Sequence, residues 1–161
     1  MRHNISVRVN GMVEEHEVEP HVSLLTFLRE TLDLTGAKEG CNEGECGSCM
    51  VLLDGKAVNA CLTLAVEVDG HEITTIEGVG DAKRLHPLQS AFLKNHAVQC
   101  GFCTPGMIMT TLGLIAENPA PTEQEIKVAL AGNLCRCTGY RQIIDAIQEG
   151  AEAMRQEGSV K

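Results

Sequence analysis

The sequence predicts an α+β protein, a strand-rich first half followed by a small four-helix bundle. Apolar residues alternate singly with polar ones in the first half, and near residue 80 the pattern changes to recurrence every three to four positions. Between the two lies Glu77-Gly78-Val79-Gly80-Asp81, a glycine-containing stretch without periodicity. The chain therefore divides into residues 1–78 and 79–161, with a linker at about 77–84.

In the first half, Ile5, Val7 and Val9 form one face of a strand, Asn10-Gly11 is a strong hairpin turn, and 15–19 begins the return strand that Pro20 closes. From Ser23, an N-cap residue, Leu24, Leu25, Leu28 and Leu32 follow a helical period, with Gly36 shortly beyond. Residues 35–48 are too rich in glycine and charge for a regular element. Met50-Val51-Leu52-Leu53 resumes a strand, Asp54-Gly55 turns it, 58–62 pairs back, and 72–76 supplies a last strand.

Four helices are predicted beyond the linker. Residues 87–96 carry Leu88, Phe92 and Leu93, and 105–118 follow Thr104 as N-cap and Pro105 at the first helical position. Thr122 and Glu125 form a capping box ahead of Ile126, Val128, Ala129 and Leu130, with a stop at Gly132-Asn133. Residues 140–154 carry Ile143, Ile144, Ile147 and Ala151, and the tail after Arg155 is expected to fray.

The chain has 161 residues and a formal charge of −9, with one tyrosine, three phenylalanines and no tryptophan. An acidic chain with so few rings is no nucleic-acid binder and has no attraction to an anionic membrane surface. The longest uncharged stretch, 95–116, has the length of a membrane span, but Gln99, Cys100, Cys103, Thr104 and Pro105 within it read as a loop entering a buried helix. Residues 1–11 alternate and hold no apolar core of signal-peptide length, so the expected compartment is the cytoplasm. There, eight thiols are metal ligands rather than disulfides.

The cysteines divide at the same boundary. Cys41-x4-Cys46-x2-Cys49-x11-Cys61 has the spacing of a plant-type ferredoxin, in which four thiolates hold a [2Fe-2S] cluster. Glycines 40, 44 and 47 suit a loop wrapped round such a cluster, because they admit positive φ and close approach of the backbone. A structural zinc site usually has C-x2-C twice, which this is not. The second quartet, Cys100-x2-Cys103-x31-Cys135-x-Cys137, is ambiguous by spacing alone between zinc and a second iron–sulfur cluster. Cys103 opens a helix, whose positive end favours an anionic centre.

Three segments carry a family resemblance: Cys41-Asn42-Glu43-Gly44-Glu45-Cys46-Gly47-Ser48-Cys49, Gln99-Cys100-Gly101-Phe102-Cys103-Thr104-Pro105-Gly106-Met107 and Gly132-Asn133-Leu134-Cys135-Arg136-Cys137-Thr138-Gly139-Tyr140. Together they resemble the signatures of the xanthine oxidase family, specifically the separate small iron–sulfur subunit of heterotrimeric molybdenum hydroxylases. The resemblance spans roughly residues 3–155 and accounts for all eight cysteines. It implies a β-grasp, plant-ferredoxin-like domain followed by a helical domain, each holding one [2Fe-2S] cluster. It further implies a large molybdopterin-binding subunit and a medium FAD-binding subunit as partners, with electrons passing between molybdenum and flavin through the two clusters. The residues matching the family's contacts to the pterin are Gln99 and Cys137.

No catalytic set is present. His3, His16, His21, His71, His86 and His96 are scattered and read as surface or capping residues, and Glu43 and Glu45 as solvated loop carboxylates. Two other functions compete: a free-standing ferredoxin-type carrier, which leaves the second half without a role, and a zinc-stabilised adaptor, which leaves the ferredoxin spacing unexplained. Colour separates iron from zinc.

Overall fold

The computed structural model describes residues 1–81 and 83–158. Its five-stranded mixed sheet comprises β1 (His3–Val9), β2 (Met12–Val18), β3 (Met50–Leu53), β4 (Lys56–Asn59) and β5 (Glu72–Thr74), in the order β2-β1-β5-β3-β4. β1 runs parallel to β5, and the β1–β2, β3–β4 and β3–β5 pairs are antiparallel. Asn10 takes φ 50° and Gly11 φ 85°, the left-handed pair that a tight hairpin turn needs. On one sheet face Ile5, Val7, Val9, Val51 and Ile73 pack against Leu24, Leu25, Phe27 and Leu28 of the following helix.

That helix, α1, begins as Leu24–Thr26 with Ser23 capping the Thr26 N–H, and widens into a π turn over Phe27–Thr31. The widening is a correction to the regular helix read from the leucine spacing. The Leu32 N–H reaches back to Phe27 O at 3.2 Å, five residues away, and both Phe27 and Leu28 stay buried.

Two strands are shorter than expected, and each shortening places a functional segment. The turn at Asp54-Gly55 sets Met50 opposite Asn59, so β4 ends there, and a turn closed by Leu62 N to Asn59 O carries Cys61 off the sheet. β5 ends at Thr74. Thr75 then exchanges its N–H and hydroxyl with the Asn10 carboxamide, both at 2.9 Å, before a 3-10 turn at Ile76–Gly78. The glycine-containing stretch is docked: Glu77 accepts from Gly36 N at 2.7 Å.

The second half contains α2 (Pro87–Lys94), α3 (Thr104–Glu117), α4 (Glu123–Ala129) and α5 (Arg141–Gln156). Where the sequence suggests a four-helix bundle, the described residues hold five helices, α1 in the first half and four in the second. α2 and α5 lie side by side, so close that a Cβ at Gly150 would stand 3.1 Å from Leu88 Cα. α3 packs instead against β3 and β4. Its Gly113 faces Ala57, whose cross-strand partner is Leu52, whereas the adjacent Val51 and Val58 belong to the α1 side, so α3 covers the opposite face of the sheet.

Thr122 and Glu125 form the expected capping box, the Glu125 N–H bonding Thr122 Oγ1 at 3.3 Å and Glu125 Oε2 accepting from Thr122 N at 2.7 Å. Thr122→Ala is expected to cost about 1 kcal/mol, read as a small drop in the thermal midpoint with iron content unchanged. Thr104 is not the N-cap of α3. Cys103 holds that position with no side-chain capping bond, and Thr104 is the first helical residue. No described helix is long and apolar enough to cross a membrane. Of the tail expected to fray, residues 159–161 lie outside the described residues.

Candidate metal centres

All eight cysteines are free thiols, and the fold gathers them into two groups. Cys49 lies within electrostatic reach of both Cys61 and Cys46, and Cys41 of Cys46, while Cys103 feels Cys135 and Cys100, and Cys100 and Cys137 stand 3.6 Å apart, sulfur to sulfur. The first group shares the loop between α1 and β3 with the turn after β4. The second joins the start of α3 to the irregular segment between α4 and α5. Among the described residues no three His, Cys, Asp or Glu side chains group round one point as a single ion requires. Four cysteine thiolates are what a binuclear [2Fe-2S] cluster requires, and each group offers four.

The loop geometry fits such a group. Gly47 has φ +66° and Gly44 φ +80°, left-handed values that side chains rarely adopt. Gly40 is needed for a different reason, since a Cβ there would stand 2.7 Å from Cys46 Sγ. The backbone N–H groups of Glu43 and Cys46 both reach Cys41 Sγ at 3.4 Å, the donors a thiolate requires. In the second site Cys103 sits at the uncapped, positive end of α3. Thr138 Oγ1 lies 3.2 Å from Cys135 Sγ, and the Cys135 N–H donates to Tyr140 Oη at 2.9 Å.

Thiol acidity follows these surroundings. The N–H of Glu43, then that of Cys46, pulls Cys41 down to about 7. Burial pushes both Cys49 and Cys103 up to about 12. The Phe102 N–H, followed by Cys137, lowers Cys100, and that same pairing raises Cys137. Burial opposes ionisation of Cys135, but hydrogen bonds from Thr138 leave it below the ordinary thiol value. Metal binding requires the thiolate, so a cation at these sites would displace the protons that burial retains on Cys49 and Cys103.

The two sites share one body. The Leu134 N–H donates to Cys46 O at 2.9 Å, and Asn133 Nδ2 to Gly47 O at 3.2 Å. Cys100 and Cys137 are exposed, as is Gln99, and the exposed apolar residues Phe102 and Leu134 lie in the same loops. Cys49 is buried and the remaining five cysteines are intermediate. Of the histidines, His86 caps α2 through its Nδ1 and His71 pairs with Asp54. Glu43 and Glu45 are exposed. Sequence reasoning missed Asn133, Thr110, Asn59 and Tyr140, the polar residues that brace the loops. The one available signal was the pair Thr110-Thr111 interrupting the apolar run of α3, two hydroxyls at core positions that need internal partners.

Comparison with known proteins agrees with this geometry. A family profile described as a 2Fe-2S iron-sulfur cluster binding domain matches residues 7–75, and one described as a [2Fe-2S] binding domain matches 75–148. The chain is 49% identical over 146 residues to the nicotine 6-hydroxylase small subunit of Paenarthrobacter nicotinovorans, covering 91% of this chain and 88% of that one. It is 48% identical over 148 residues to the nicotinate dehydrogenase small FeS subunit of Eubacterium barkeri, covering 92% and 94%. Its fold matches a chain in the crystal structure of quinoline 2-oxidoreductase from Pseudomonas putida 86 with a TM-score of 0.91 and 48% identity, over 96% of this chain and 97% of that one.

Proposed function

From the chain's membership of the small iron–sulfur subunits of the molybdenum hydroxylases, we propose that Cys41, Cys46, Cys49 and Cys61 hold one [2Fe-2S] cluster and Cys100, Cys103, Cys135 and Cys137 the other. The chain is an electron-transfer subunit of an oxidoreductase complex, and its cofactors are two such clusters. Each cluster supplies a one-electron redox couple. The chain's own residues do the rest. The loop glycines let the backbone close round the thiols, N–H groups face the sulfurs, and the core buries Cys49 away from water.

The observation that carries this reading is the gathering of eight free thiols into two sites on one docked body, the first joined to the second through Cys46 and Leu134. It also favours a relay over a free-standing ferredoxin, which needs one site only. We assign 1–78 to the first site and 79–161, with α2–α5 as one helical unit, to the second. The exposed edge formed by Gln99, Cys100 and Cys137, flanked by Phe102 and Leu134, is assigned to the large molybdopterin-binding subunit, with Gln99 and Cys137 as the pterin contacts. The first site is assigned to the side of a medium FAD-binding subunit. A reducing cytoplasm suits eight thiols with no disulfide among them.

Metal and acid-labile sulfide analysis tests the assignment. About four irons and four sulfides per chain are expected, in a red-brown protein that bleaches with dithionite. Zinc in both sites without labile sulfide would overturn it and return the chain to the adaptor reading.

A further inference from the structure

One buried side chain lies at the joint between the two thiol sites. Asn133 is 3% exposed and stands two residues before Cys135. Its Oδ1 accepts from Thr110 Oγ1 at 3.0 Å, and its Nδ2 donates to Gly47 O at 3.2 Å. Thr110, 7% exposed, belongs to the helix that begins beside Cys103, and Gly47 lies between Cys46 and Cys49. A single carboxamide thus bridges the first cysteine loop, the helix of Cys103 and the segment of Cys135. Its backbone is held as well: the carbonyl accepts from Tyr140 Oη at 3.0 Å, and that oxygen in turn accepts the Cys135 N–H. Tyr140 holds φ 71°, a conformation costly for a bulky residue and fixed here by these two bonds.

The bond to Gly47 has a consequence for the first site. In a trans peptide the C=O and the following N–H point in opposite directions, so anchoring Gly47 O on Asn133 turns the Ser48 N–H away from it. Gly47 O also accepts from Met50 N at 3.4 Å within its own turn, so Asn133 is the partner that ties this peptide to the helical half, and Ser48 beside it is buried. A peptide N–H between two cysteine ligands is the type of donor that sets a cluster's potential.

We propose that Asn133 is a positioning residue for electron transfer: from the helical half, braced by Thr110, it sets the Gly47–Ser48 peptide of the first cysteine loop and holds the two sites in one mutual geometry. The proposal rests on the assignment of the two quartets to two clusters.

The test is an EPR-monitored redox titration of the assembled complex. The first-site signal is the one that Cys46→Ala removes. Asn133→Ala is expected to shift the midpoint and line shape of that first-site signal, although the substitution lies beside the second site. The same variant should hold first-site iron about 10- to 100-fold less tightly against a competing chelator, the usual cost of removing a residue that orients metal ligands. Thr110→Val should do the same more weakly, and Thr110→Ser, which keeps the hydroxyl, should restore the original signal. Should Asn133→Ala prove too unstable to titrate, Thr110→Val against Thr110→Ser decides. A first-site signal unchanged in both Asn133→Ala and Thr110→Val overturns the proposal while leaving the two-cluster assignment intact. A wild-type complex with fewer than two cluster signals overturns the assignment and the proposal together.

Discussion

Cys46→Ala and Cys137→Ala are expected to stop turnover of the assembled complex in two different ways. Cys46→Ala removes one cluster and about two irons, yet one equivalent of substrate should still reduce the second-site cluster while the flavin stays oxidised. Cys137→Ala removes a ligand and the assigned pterin contact together, so neither the remaining cluster nor the flavin should be reduced. The physical ground is exposure. Cys137 and Cys100 form the exposed pair of thiols, whereas Cys46 is partly covered and its carbonyl is bonded to Leu134. EPR after one substrate equivalent separates the outcomes. A Cys137 variant whose first-site cluster and flavin still reduce at the normal rate would show that the assigned order is reversed.

Gly106→Ala is expected to separate the two sites. Gly106 lies in the first turn of α3, and a Cβ there would stand 2.1 Å from Gly47 O and 3.2 Å from Ser48 Cα. Alanine is favoured over glycine in a helix interior by about 1 kcal/mol, which opposes the loss. Overpacking against atoms that cannot move aside costs about 3 kcal/mol, and backbone is the least able to move, so the clash wins by about 2 kcal/mol. The obstructing carbonyl is the one Asn133 holds, so the damage should reach both sites: a lower thermal midpoint with iron lost from each. Gly132→Ala is the matching control, because nothing lies within 4 Å of a Cβ there. Equal midpoints and iron contents for the two variants would show that α3 and the first loop are not locked together as described.

Exposed apolar residues in the second-site loops bear on handling the chain alone. Phe102 and Leu134, 47% and 57% exposed, are expected to drive self-association of the isolated subunit, detectable by size-exclusion chromatography and relieved when the complex is assembled.

The order of strands and helices was legible because it depends on local pattern. Ile5, Val7 and Val9 declare a strand face, Asn10-Gly11 a turn, and Thr122 with Glu125 a helix start, each through interactions within a few residues. The candidate metal ligands were legible for a chemical reason. The spacing C-x4-C-x2-C is constrained by the cluster such a loop wraps. Element boundaries were less so. The ends of β4 and β5 depend on register with distant strands and on the Asn10–Thr75 exchange, and the π turn of α1 on what packs beneath Phe27 and Leu28.

By itself, then, the sequence determined the spacing of eight thiols, four in the strand-rich part and four in the helical part. Only the tertiary structure decided how they are gathered and joined. The approach of Cys61 to Cys49 follows from β4 stopping opposite Met50, and the joining of the sites from Asn133 meeting Gly47, 86 residues away. The physical reason is that a buried amide or hydroxyl must find a partner wherever the packed chain supplies one. That requirement makes Asn133, Thr110 and Gly106 decisive, and no local periodicity reports which partner will be found.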